Sequence, residues 1–269
     1  MKKAIRIALI TSLAFILLGG GMMIGGWLLG GEHGFKDIDL NTMRKYHITE
    51  KSFDEEIKNV EVDVNRYPVS FKKSDDDRVR VKIRAKNDKD INLTHKGDRL
   101  QIKEANSSSK HTDADLNLIG DIFHVHPGED IVVYLPEKDY DKVMINGVGG
   151  YINIDKVSIK NLEIDFEAGD IKIKKSRISG GKIKADTGSV EVEGSVLSDV
   201  NIDTGAGDIE IETGELKNVN LKADVGDVGL DRIKYDGGSI SVDIGDLDED
   251  NVKYISPVHK KVSFSDDDE

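Results

Sequence analysis

One short phrase recurs six times at an unvarying spacing of 19 residues: Gly150-Tyr-Ile-Asn-Ile, Gly169-Asp-Ile-Lys-Ile, Gly188-Ser-Val-Glu-Val, Gly207-Asp-Ile-Glu-Ile, Gly226-Asp-Val-Gly-Leu and Gly245-Asp-Leu. A fixed period of this size constrains the fold more than any other feature of the chain, because it means a stack of like units. Two positions after each glycine stand Ile152, Ile171, Val190, Ile209, Val228 and Leu247. Four positions after it stand Ile154, Ile173, Val192, Ile211 and Leu230. Alternation of this kind is a strand with one buried face. A second apolar pair follows in each unit (Leu162/Ile164, Val200/Ile202, Val219/Leu221), and between the pairs runs a column Ile159, Ile178, Leu197, Leu216, Tyr235. The pattern predicts two short strands and two turns per unit. No unit buries its inner face alone. Stacked at roughly 4.8 Å per coil, the units form a continuous parallel ladder around an aliphatic core. The expected fold is an all-β β-solenoid with 19-residue coils.

The recurring glycines (Gly150, Gly169, Gly188, Gly207, Gly226, Gly245) stand where the chain must turn sharply into the next coil, a role suited to positive φ. The aspartate after the glycine (Asp170, Asp208, Asp227, Asp246, with Ser189 in the gap) is expected to close an Asx-type turn onto nearby backbone N–H groups. In register, these carboxylates stack and repel. Calcium would relieve that repulsion, so the column is a candidate ion site, although the nonapeptide of calcium β-rolls is absent. No other cofactor is implied. His124 and His126 have one-face strand spacing but no evident third ligand.

Five regions are expected. Residues 1–31 are a transmembrane anchor: Lys2, Lys3 and Arg6 precede an uncharged run long enough to span a bilayer as one helix. The positive flank stays inside, which puts the remainder outside the plasma membrane. Gly21/Gly25 and Gly26/Gly30 offer small-residue faces through which two such helices could form a homodimer. Residues 32–53 read as a polar juxtamembrane spacer. Residues 54–142 carry irregular strand signals and read as an N-terminal cap of the solenoid. Residues 143–255 hold the regular repeats, and 256–269 an acidic tail. There is no cysteine, which excludes disulfides and thiolate chemistry. The net charge of −13 argues against a nucleic-acid partner.

The single N-terminal hydrophobic segment, the strand Ile57-Lys-Asn-Val-Glu-Val62, the phrase Val132-Val-Tyr-Leu-Pro136 and the Gly-Asp-Ile-x-Ile units together resemble the putative-adhesin β-strand-repeat family, which includes the LiaG-like surface proteins of Gram-positive bacteria. The resemblance spans roughly residues 50–250. It implies a surface-exposed solenoid, with a link to cell-envelope stress in some relatives, and brings no catalytic motif. The expected function is therefore a membrane-anchored, extracellular, non-catalytic module for envelope binding, adhesion or stress sensing. Its partner would be a cell-wall component or an envelope protein. The alternatives are a bactofilin-like solenoid that self-assembles end to end and, less favoured, a β-helix carbohydrate-active enzyme. The coils leave no room for the inserted loops such an enzyme needs, and the single tryptophan, Trp27, lies in the hydrophobic segment.

Overall fold

The computed structural model describes residues 47–85, 87, 89–105 and 130–264, all within one compact unit. The hydrophobic segment, both histidines of the His124/His126 pair and the acids 266–269 lie outside the described residues. Among the described residues, no helix is long and apolar enough to cross a membrane.

The period dictates the ladder. Strand β9 (Lys142–Asp155) pairs in parallel with β11 (Leu162–Lys174), β11 with β13 (Gly181–Thr187) and β14 (Val190–Ser198), and these with β15 (Val200–Ala206) and β16 (Ile209–Val225). Strand β16 pairs with β17 (Val228–Ile244), each residue beside the one 19 positions on. The expected apolar columns are the core: Ile152, Ile171, Val190, Ile209 and Val228 are buried, as are Ile159, Ile178, Leu197, Leu216 and Tyr235.

Each coil has three sides and three corners, not two of each. Short pairings such as Ser158–Ile159 (β10) with Arg177–Ile178 (β12) form a separate middle side. A corner with φ near +50 to +60° precedes that side at Lys156, Lys175, Gly194, Thr213, Arg232 and Asn251. Another follows it at Asp199, Asn218 and Gly237. Lysine, threonine and arginine are poor left-handed residues, each costing about 1–2 kcal/mol. They are held there because ladder bonds fix the corner: the Lys156 N–H donates to the Lys174 carbonyl at 3.0 Å and the Lys175 N–H to the Glu193 carbonyl at 2.8 Å. Just past this corner the buried Ser176 hydroxyl accepts the Val157 N–H at 3.1 Å, and Ser195 Oγ accepts the Ser176 N–H at 3.1 Å. Each serine thus satisfies a buried amide of the coil before it. Tyr140 and Tyr235 fill the middle-side column. Burial raises both phenols, and the Tyr235 hydroxyl donates to the Val219 carbonyl at 2.8 Å.

The N-terminal part supplies one more coil and a lid. Strands β2 (Asn59–Val64) and β3 (Val69–Lys73) lie in parallel on β9, with Val60 beside Val143 and Val69 beside Ile152. On their other edges sit β6 (Arg99–Glu104) and β7 (Ile131–Leu135), still parallel. The ladder then turns antiparallel: β5 (Ile91–Lys96) on β6, β4 (Val79–Ala85) on β7, and β1 (His47–Phe53) on β4.

Two expected boundaries change. Residues 47–53, read as spacer, form edge strand β1. Only Phe53 of that strand is buried, so its backbone pairing left no apolar alternation in the sequence. Residues 256–262, read as tail, belong to β19 (Lys253–Val262), which with β18 (Leu247–Asp250) forms the last coil on β17. The lysines and Pro257 there hid a strand that the preceding coil templates.

Candidate functional site

The repeated corner glycines have φ between 118 and 145°, a region open to glycine alone. Space matters as much as angle. A Cβ on Gly207 would stand 2.2 Å from the Gly188 carbonyl oxygen, because each corner rests on the one below.

The aspartates beside these glycines form a ladder between coils and not the local turns expected. Asp170 Oδ1 accepts the Ser189 N–H at 3.0 Å, and Ser189 Oγ accepts the Asp208 N–H at 3.4 Å. Asp208 Oδ1 accepts the Asp227 N–H at 2.9 Å, and Asp227 Oδ1 accepts the Asp246 N–H at 2.8 Å. The reason is geometric: the amide that would close a local turn is committed to the ladder, whereas the amide one coil on points at the carboxylate. Each charge-assisted bond offsets part of the repulsion between stacked carboxylates. Ser189 keeps the chain of bonds unbroken, so its hydroxyl is equivalent in role to the aspartates. Among the described residues, no group of three or more His, Asp or Glu side chains converges as a metal site would require.

Outward from this corner, the side that holds Ile171 and Ile173 changes charge along the stack. Lys172 and Lys174 project from one coil and pair with Glu191 and with Glu193 (2.7 Å for the second pair) on the next. The Glu193 hydrogen bond raises the Lys174 ammonium above its usual value, and the Lys174 bond holds Glu193 below the ordinary carboxylate range. Beyond these pairs the same two rows read Glu210/Glu212, Gly229/Asp231 and Asp248/Asp250. Among the described residues, these rows hold one ion pair, from the corner residue Arg232 to Asp231 at 2.6 Å. This half of the side is an acidic face bordered by Asp208, Asp227 and Asp246. The opposite side is charge-balanced, with Asp165, Lys184, Asp203 and Lys222 in successive coils and an Asn201–Asn220–Ser239 hydrogen-bond row at 2.8 Å per step.

The last coil closes the core with polar groups. Glu249 follows Leu230, Tyr254 follows Tyr235, and Lys260 follows Ile240 in their inward columns. Lys260 Nζ lies 2.7 Å from Glu249 and 4.2 Å from the Tyr254 ring centroid, and the Tyr254 hydroxyl donates to Glu249. Burial raises the Tyr254 phenol, and the Glu249 hydrogen bond raises it further. The visible signal in the sequence was charge in columns that are otherwise apolar.

Comparison with known proteins bears on the whole ladder. The family model described as Toastrack DUF4097 matches residues 57–252. Among solved structures, a crystal structure of a putative adhesin from Parabacteroides distasonis is similar at 13% identity and a TM-score of 0.43, covering 81% of this chain and 98% of that one. No curated protein matches the chain.

Proposed function

The chain belongs to the Toastrack DUF4097 family, and on that premise we propose that it is a non-catalytic binding module of the cell envelope. In this reading residues 1–31 anchor it in the plasma membrane with the N-terminus inside, and the solenoid stands outside as an adhesive or stress-sensing surface like that of LiaG-like proteins. The observation that carries the reading is the unbroken register of the coils. Ladder pairing runs without an inserted loop from Lys142 to Asp250. Such a surface offers long, flat, regularly charged sides for recognition, whereas a hydrolase needs a cleft with convergent groups.

End-to-end assembly is the weaker reading because the last coil is blunted. Inward Glu249 and Lys260, Pro257 and the irregular register after Tyr235 are devices that protect an open sheet edge. The test of location is protease treatment of intact cells that carry the full chain with a tag at its C-terminus. Loss of the tag before the cells are permeabilised is expected. A tag protected until permeabilisation would overturn the external placement.

A further inference from the structure

The position just before each corner glycine points outward; its occupant is small in the first four coils (Gly149, Ala168, Thr187, Ala206) and large and apolar in the last three (Val225, Ile244 and then Phe264). Val225 and Ile244 are register partners, and the Gly245 N–H donates to the Phe264 carbonyl at 3.0 Å. Strict 19-residue spacing would place Ser263 at this corner. The register shift after Tyr235, which leaves Ile255 as an extra residue, brings Phe264 there instead. Val225 is 48%, Ile244 53% and Phe264 70% exposed. At roughly 4.8 Å per coil, they form an apolar ridge about 10 Å long. Contiguous exposed apolar side chains of this kind mark interaction sites.

The two flanks of the ridge differ. On one, Asp224 pairs with Lys222, and Asp243 with Lys261 at 3.4 Å. On the other lie Asp208, Asp227 and Asp246 and the acidic face behind them. Asp208 and Asp227 accept backbone amides, and among the described residues neither makes an ion pair.

We propose that the ridge Val225–Ile244–Phe264, with the acidic face beside it, is a docking strip for a basic amphipathic helix of a partner molecule. Helical spacing fits: positions i, i+3 and i+7 rise about 4.5 and 10.5 Å, matching the steps and length of the ridge. An extended strand, with side chains on one face about 6.7 Å apart, does not. Lysines or arginines on one flank of that helix would meet the acidic face, while the lysine-neutralised flank sets which way the helix lies.

The inference rests on the reading of the chain as a binding module. Its test is titration of the full chain, held in zwitterionic nanodiscs, with a fluorescent leucine–lysine peptide of helical period, against empty nanodiscs as blank. Saturable binding that weakens with added salt is expected. Replacing Val225, Ile244 and Phe264 together by serine should weaken it at least about tenfold while leaving the thermal midpoint near that of the parent, since all three side chains are exposed. Asp227→Asn with Asp246→Asn should weaken binding and flatten its salt dependence. Equal binding by the serine variant, or by a leucine–glutamate helix, would overturn the proposal. So would self-association of the chain that the serine variant abolishes, because a second copy would then occupy the strip. If titration fails while protease still strips the tag from intact cells, this inference alone falls. A protected tag strikes the external placement instead.

Discussion

Replacing Gly207 by alanine tests the corner geometry directly. At a φ of 145°, an L-residue incurs strain of about 1–3 kcal/mol. The new Cβ would also stand 2.2 Å from the Gly188 carbonyl oxygen and 2.6 Å from its carbon. Both atoms are backbone, so neither can swing away, and forcing them apart adds about 1–3 kcal/mol. The expected loss is about 4 kcal/mol, which for a domain of this size lowers the melting midpoint by roughly 8–16 °C. Two further variants separate the contributions. Gly150 has a φ of 120°, but a Cβ there meets nothing nearer than 3.6 Å, so Gly150→Ala should show the strain alone. Gly229 has no positive φ and nothing within 4 Å, so Gly229→Ala should be neutral or slightly stabilising, by up to about 1 kcal/mol. The assay is thermal unfolding of the full chain followed by circular dichroism. If Gly207→Ala melted with Gly150→Ala, the close approach of stacked corners would be refuted. If it melted with Gly229→Ala, the whole account of the corner would fail.

Ser195→Ala should destabilise by about 1–3 kcal/mol in denaturant titration, since it leaves the buried Ser176 N–H without an acceptor; an unchanged midpoint would mean the hydroxyl row is incidental. Millimolar calcium should shift the melting midpoint little, because the corner carboxylates already accept amides and do not converge in threes; a rise of many degrees would instead make the column an ion site. Asp141, Glu163 and Glu193 are held below the ordinary carboxylate range by hydrogen bonds from Lys160, Lys142 and Lys174, respectively. Their contribution is present above the unfolded values of about 3.9 for Asp and about 4.3 for Glu and is lost as pH falls through the lower folded values, so the melting midpoint should hold above about pH 5 and drop below about pH 4. A midpoint that rises on acidification would show that relief of repulsion on the acidic face dominates.

The sequence was legible where environments repeat. Ile152, Ile171, Val190, Ile209 and Val228 recur at one spacing because they fill one inward column, and an unvarying coil admits no other arrangement of them. The glycine corner could be read for the same reason: from Gly169 onward, the carbonyl of the corner below excludes every larger residue there. The aspartate column was visible, but its bonding was not, because the partner amide lies 19 residues away and is supplied only by stacking. The third corner escaped notice because Lys156, Lys175, Gly194, Thr213, Arg232 and Asn251 share a backbone angle but no one side-chain type.

By itself, then, the sequence determined the period, the parallel ladder and the identity of the buried columns, since each follows from local alternation repeated at fixed length. Tertiary structure decided what no repeat encodes. It set Val60 beside Val143, it recruited the exposed strand His47–Phe53 onto β4, and it displaced the last coil by one residue so that Phe264 stands where Ser263 would have been. In each case a ladder edge already formed supplies the backbone donors and acceptors. The docked segment is chosen by that edge, and its own side-chain pattern need not announce it.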